Sequence, residues 1–159
     1  MGTTGMSKYT INRAWADQYT EQVIALLVSN AAHIVNVEVA PQYQDAHYAT
    51  DMIIQVVGGC VAVRIRRDTE HRDLTIRSTL PSGAKTELQK IQEGFADWYL
   101  YAWTRNGQIC EWILVDLNRL RTSGTIYVQR PEIPNGDGTF FVAIPVAELL
   151  ANNCIVASS

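Results

Sequence analysis

Long apolar runs are missing from this chain. No stretch approaches the roughly 18 to 20 residues that span a bilayer, and residues 1–7 lack the basic-then-apolar order of a secretory signal. An intracellular, cytoplasmic protein with no membrane contact is expected. Cysteine is scarce as well. Cys60, Cys110 and Cys154 stand far apart and outside any Cys-x-x-Cys spacing, which excludes a disulfide framework or a zinc site and predicts three buried thiols. His33, His47 and His71 are scattered without metal-ligand spacing. No Gly-x-x-x-x-Gly-Lys pattern follows Gly58-Gly59, so that pair is a turn and not a phosphate loop. No Ser-His-Asp or Cys-His constellation is present, nor any nucleophile elbow. An excess of positive charge is also lacking: 13 Lys and Arg against 16 Asp and Glu leave a net charge of −3. That balance excludes a protein that coats nucleic acid through a bulk basic field.

What the chain does contain is a core. Its 159 residues, 47% of them hydrophobic and 18% charged, suit one globular domain over 1–159, with a core at 12–121 and C-terminal strands and a turn at 122–159. No repeat, low-complexity tract or linker divides it. The cations are concentrated: Arg64, Arg66, Arg67, Arg72, Arg77, Lys85 and Lys90 are seven of the 13 basic residues and lie in one central block. Asp68, Glu70, Asp73 and Glu87 dilute the block. A local anion site is therefore expected, not an extended groove.

Trp15, Tyr19, Val23, Leu26, Leu27 and Ala31 recur at helical spacing, so residues 12–34 read as one amphipathic helix with Thr10 as a cap. Residues 35–39 alternate briefly until Pro41, and 42–50 is a loop. Residues 51–57 and 60–66 are rich in branched side chains around Gly58-Gly59, which predicts an antiparallel hairpin. Alternation puts Val61, Val63 and Ile65 on one face and Ala62, Arg64 and Arg66 on the other. Residues 74–78 predict a third strand of that meander. Residues 86–93 predict a helix ended by Gly94, with Leu88 and Ile91 toward the core and Glu87 and Lys90 on a shared exposed face. Residues 98–103 and 110–115 flank Asn106-Gly107, the strongest hairpin signal in the chain. Both faces of 98–103 are apolar, which predicts a central strand and core packing rather than base stacking. A short helix at 116–121, strands at 125–128 and 139–144, and a helical turn at 145–150 complete the pattern.

The order of elements predicts an α/β fold: a central mixed sheet of five to seven strands with an antiparallel meander, flanked by an N-terminal helix and a second helix. That order, with Ala49-Thr50-Asp51 opening one strand and Lys85-Thr-Glu-Leu-Gln-Lys90 on the following helix, resembles the PD-(D/E)XK, or restriction-endonuclease-like, superfamily. The likeness covers roughly residues 12–121 and is closest to small nuclease-like proteins of phages and prophages. It implies a metal-dependent DNA endonuclease in which two acids bind Mg²⁺ and a lysine stabilises charge at the phosphate. Asp51 matches the first acid. The next strand departs from the pattern, because Ala62-Val63-Arg64 and Arg64-Ile65-Arg66 stand where an acid-x-Lys is required. Glu87 and Lys90 are the candidates for a migrated acid and lysine. On this basis Asp51 and Glu87 are metal ligands, Arg64 and Lys90 act at the phosphate, and Arg66, Arg67, Arg77 and Lys85 contact nucleic acid.

The alternative implied by the missing acid is a catalytically inactive relative of phage origin that binds nucleic acid or a host protein complex in the host cytoplasm. In simple register Arg64, Arg66 and Arg77 share one face, and three adjacent cations require anions. Asp51, Glu87, Asp97 and Asp116 are the internal candidates, in a salt-bridge network that competes with the nucleic-acid reading. By analogy with paired nucleases, the Asn106-Gly107 hairpin and strand 139–144 are candidate edges for a homodimer.

Overall fold

The computed structural model describes residues 8–30, 37–40, 52–54, 59–67 and 70–159. In place of one N-terminal helix there are two, α1 (Lys8–Asp17) and α2 (Thr20–Asn30). At the break, Gln18 Nε2 donates to the Trp15 carbonyl at 2.7 Å and the Thr20 hydroxyl donates to the Asp17 carbonyl at 2.8 Å. These side-chain bonds compete with helical ones and offer the backbone a way out of the helix. Thr10 accordingly sits inside α1, not at its cap, and residues 31–34 lie outside the described part.

The meander forms one strand earlier than expected. β1 (Val37–Val39), β2 (Met52–Ile54) and β3 (Gly59–Arg67) pair antiparallel in sequence. The expected third strand, β4 (Asp73–Thr79), does not join β3. The far edge of β3 is taken by β5 (Trp98–Arg105) running parallel, with Val61 opposite Trp98 and Arg66 opposite Trp103. β5 pairs antiparallel with β6 (Gln108–Asp116), and β6 with β9 (Ile155–Ser158). The chain thus builds a six-stranded mixed sheet in the order β1-β2-β3-β5-β6-β9, within the range expected.

β4 belongs to a second sheet. It pairs antiparallel with β8 (Phe140–Pro145), Leu74 opposite Ile144 and Arg77 opposite Phe141, and β8 pairs on its other side with β7 (Ile133–Pro134). β7 covers Phe140 and Phe141 on one edge of β8, within the segment 139–144 expected as a dimer edge. Neither β7 nor β9 was anticipated. Residues 125–128, expected as a strand, instead form a 3-10 turn at Thr125–Tyr127. Gly124 at φ +79° starts it, a left-handed conformation that glycine adopts without steric cost.

Local chemistry fixes the remaining elements. Asn106 and Gly107 both have positive φ, at 53° and 76°, as the primed hairpin turn requires. Gln22 of α2 clamps this turn by donating to the Gly107 carbonyl and accepting from the Ile109 amide. Helix α3 (Glu87–Gln92) opens with a capping box: Thr86 Oγ1 accepts from the Gln89 amide, and Gln89 Oε1 accepts from the Thr86 amide at 2.8 Å. Thr86→Ala should therefore cost about 1 kcal/mol. A urea denaturation midpoint indistinguishable from the parent would show that the cap is dispensable. Helices α4 (Leu117–Thr122), capped by Asp116, and α5 (Val146–Ala151) follow β6 and β8.

The main sheet carries a core on each face. On one, Val23 and Leu27 of α2 pack on Val61, Leu100, Ala102 and Trp112. On the other, Ala62, Tyr99, Tyr101 and Trp103 meet Leu74 and Ile76 of β4, Val142 and Ile144 of β8, and Ile91 of α3. Of the three thiols only Cys154 is buried. Cys60 is half-buried and Cys110 is exposed, because β6 leaves the core as it approaches the hairpin. No described helix is long and apolar enough to cross a membrane.

Candidate functional site

The face of the main sheet that meets the second sheet is not wholly apolar. Strand alternation places Arg64 and Arg66 there, beside the side chains of Tyr99, Tyr101 and Trp103 on the neighbouring strand. The rings form a ladder: Tyr99 stacks on Tyr101 with centroids 6.1 Å apart, and Tyr101 meets Trp103 edge-on at 5.0 Å. Each arginine is tied to a phenol. Arg64 Nε donates to the Tyr99 hydroxyl at 3.0 Å, and Arg66 Nη1 donates to the Tyr101 hydroxyl at 3.1 Å. The Tyr101 hydroxyl also lies 2.7 Å from Thr75 Oγ1 of β4. A polar layer is thus threaded through the junction of the two sheets.

Glu87 is the centre of this layer. Its Oε2 accepts from Arg64 Nη2 at 2.6 Å and from the Arg77 amide at 3.0 Å, and its Oε1 accepts from the Tyr99 hydroxyl at 2.5 Å. One carboxylate on α3 therefore joins β3 and β5 of the main sheet to the outer edge of β4. Burial by itself would raise the carboxyl's pKa. The Arg64 charge and the donors from Tyr99, Arg77 and Arg64 outweigh burial and hold Glu87 below its ordinary value. Burial, with Glu87 alongside, pushes the Tyr99 phenol well up, while the Arg64 charge works against that rise. Burial likewise works to lower the Arg64 pKa, and the Glu87 charge overcomes it. Among the described residues every partner of Glu87 is a donor. A Mg²⁺ ion needs several oxygen acceptors about it, and at this carboxylate it would stand beside the Arg64 guanidinium.

The other expected residues divide. Arg66 pairs with Asp73 at 3.1 Å, an acid not among those expected for it. Asp97 accepts from the Cys60 amide at 2.7 Å, and Asp116 caps α4 through the Arg119 amide. Arg67 is exposed and stacks on Trp15, its guanidinium carbon 4.4 Å from the ring centroid. Lys85 pairs with Glu93 on the surface at 2.5 Å. Lys90 is half-buried in α3. Asp51 lies outside the described residues, as do His33 and His47, so its distance from Glu87 is not part of the site described. Among the described residues no group of three or more His, Cys, Asp or Glu is placed to hold a metal ion.

A pocket of about 120 Å³ opens where the two sheets meet. Arg64 and Arg66 reach it from β3, and Arg77 and Thr75 from β4. Asn135 and Thr139, from the turn between β7 and β8, add polar atoms, and Phe140 and Phe141 of β8 add aromatic surface. A cavity of roughly 10–15 Å³ admits one water, so this one has room for a ligand group of several heavy atoms. The register of β4 against β8 shifts between Arg77 and Thr79. Such bulges redirect neighbouring side chains. Among the described residues no carboxylate pairs with the Arg77 side chain. Among the described residues the three guanidinium groups are met directly by two carboxylates, Glu87 and Asp73, and a third, Asp137, stands at the pocket rim on Asn135 and Thr139.

Sequence reasoning put the three arginines together, but for the wrong reason. They converge from two sheets, not from adjacent strands of one. Tyr99 and Tyr101 were assigned to packing alone, and their hydroxyls escaped notice. The signal available was alternation, which places them beside Arg64 and Arg66 once the two strands are neighbours. Asn135 and Thr139 carried no signal beyond membership of a turn. Compared with known proteins, the chain matches no family model and no curated protein.

Proposed function

We propose that this protein binds nucleic acid through the intersheet pocket and does not cleave it at Glu87. The observation that carries this reading is the convergence of Arg64, Arg66 and Arg77 on one pocket, with no carboxylate among the described residues paired to the Arg77 side chain. Arginine presents a planar fork of donors suited to phosphate oxygens. Arg64 and Arg66 are positioned by Tyr99 and Tyr101, so their free donors are held in place before a ligand arrives. Arg77 supplies a cation whose side chain pairs with no carboxylate among the described residues. The mixed sheet with its parallel β3 and β5 supports a PD-(D/E)XK-like core as the ancestry of the fold. The donor-only surroundings of Glu87 favour the inactive, binding form of that core over the Mg²⁺-dependent deoxyribonuclease.

The test pairs binding with cleavage. Fluorescence anisotropy with labelled oligonucleotides should detect binding that Arg77→Ala weakens by roughly fivefold to tenfold, as expected for one lost charge-assisted contact worth about 1–1.5 kcal/mol. Plasmid and oligonucleotide incubated with Mg²⁺ or Mn²⁺ should stay intact. Metal-dependent cleavage that disappears in Glu87→Gln would return the site to catalysis. Absence of binding to any oligonucleotide would end the nucleic-acid assignment.

A further inference from the structure

The geometry points to unpaired nucleotides as the ligand: a single strand with one phosphate on Arg77 and the adjoining base against the rings of Phe140 and Phe141. This inference rests on the nucleic-acid reading above and narrows it. The pocket is a composite, with cations on the β3 and β4 side, two phenylalanines on the β8 side and the Asn135 amide at the turn. Recognition of a single strand uses this pairing of a cationic track with aromatic platforms, because unstacked bases expose their faces. Duplex bases are already stacked and keep those faces hidden. Both phenylalanines are partly exposed, unlike the fully buried rings of Tyr99, Tyr101 and Trp103, and so retain surface to offer.

Charge argues the same way. A protein that grips a duplex by its backbone neutralises many phosphates, whereas this pocket offers three arginines, two of them already paired to carboxylates, in a chain of net charge −3. So small a cationic set suits one or two phosphates. Asn135 is held at the pocket rim by its Nδ2, which donates to Thr139 Oγ1 at 3.3 Å and to Asp137 Oδ2 at 3.4 Å, so its side-chain oxygen is the atom it can offer to a base edge.

The experiment compares four labelled ligands on the parent protein at fixed salt: single-stranded DNA, single-stranded RNA, duplex DNA, and a single strand of abasic deoxyribose-phosphate. Both normal single strands should bind about tenfold more tightly than the abasic strand, within the contribution of one base stacked on an aromatic side chain. The duplex should also bind weakly. Comparison of the DNA and RNA strands shows whether the sugar is read. The slope of log affinity against log salt should be near that of one or two phosphates and should fall by about 0.7 in Arg77→Gln. The paired substitution Phe140→Leu and Phe141→Leu should abolish the preference over the abasic strand. Should that variant fail to fold, the parent protein's comparison with the abasic strand still decides the question. Equal affinity for abasic and normal strands, or tighter binding of the duplex, overturns this inference and leaves the broader binding function standing. Failure of all four ligands to bind overturns both.

Discussion

Glu87→Ala is expected to lower unfolding free energy by about 2–4 kcal/mol, the range for breaking a largely buried ion pair by removing one partner. The side chains of Glu87 and Arg64 are 16% and 29% exposed, so solvent screens the pair only in part. Alanine leaves the Arg64 guanidinium without its counter-charge, the Arg77 amide without an acceptor and the Tyr99 hydroxyl without a partner for its proton. At roughly 2–4 °C per kcal/mol for a chain of this size, the melting temperature should drop by about 5–15 °C. Glu87→Gln keeps the shape and one acceptor oxygen, so about half of that loss is expected. The effect also has a direction in pH. A carboxyl whose pKa is depressed by folding contributes stability that is complete above its ordinary, unfolded value and is lost as pH falls through the depressed one. The gap in stability between the parent and Glu87→Gln should therefore narrow on acidification. If it stays constant from neutral pH to well below the carboxylate range, Glu87 is not acting as a charged staple.

Trp103→Ala should be as damaging or more so, at about 3–5 kcal/mol. The side chain is fully buried in the centre of β5, between Tyr101 and the Arg72 guanidinium, whose carbon lies 5.2 Å from the ring centroid. Arg72 is itself fixed by Glu111 at 2.6 Å, so loss of the indole also removes the surface on which that pair rests. Trp103→Phe should cost far less. It keeps most of the ring and deletes an indole N–H that has no hydrogen-bond partner among the described residues. Chemical denaturation of the two variants separates these expectations. Similar losses for both would mean that the indole's polar edge matters in a way the packing does not explain.

The sequence was most legible where a local rule dictates the backbone. Asn106-Gly107, Thr86 with Gln89, and the apolar run through 98–103 each announce an element by nearest-neighbour chemistry, and each forms. Partnership was less legible. The alternation in 74–78 marks a strand, yet it is equally consistent with pairing to β3 or to β8, because a half-buried face does not name its neighbour. The same ambiguity hid the site. Arg64 and Arg66 were visible as a pair on one face, and the need for anions followed from their charge. That Asp73 and not Asp97 meets Arg66 depends on where β4 packs across the layers. Glu87 stands out in the sequence as a candidate ligand, and in the structure it joins Arg64, Tyr99 and the Arg77 amide. Its three donor companions could be known only once α3, β3, β4 and β5 were brought together.

The membership of β4 in the second sheet also sets an order of assembly. β4 precedes β5 in the sequence, but its partner β8 lies far along the chain, and long-range pairings of this kind are slow to close. Until β8 arrives, Leu74 and Ile76 lack Ile144 and Val142 opposite them. A nascent or truncated chain ending near residue 121 would carry Arg64, Arg66, Arg77 and Glu87 yet leave β4 unpaired, sticky and prone to aggregate. Completion of the pocket between Arg77 and the two phenylalanines therefore waits on the pairing of β4 with β8.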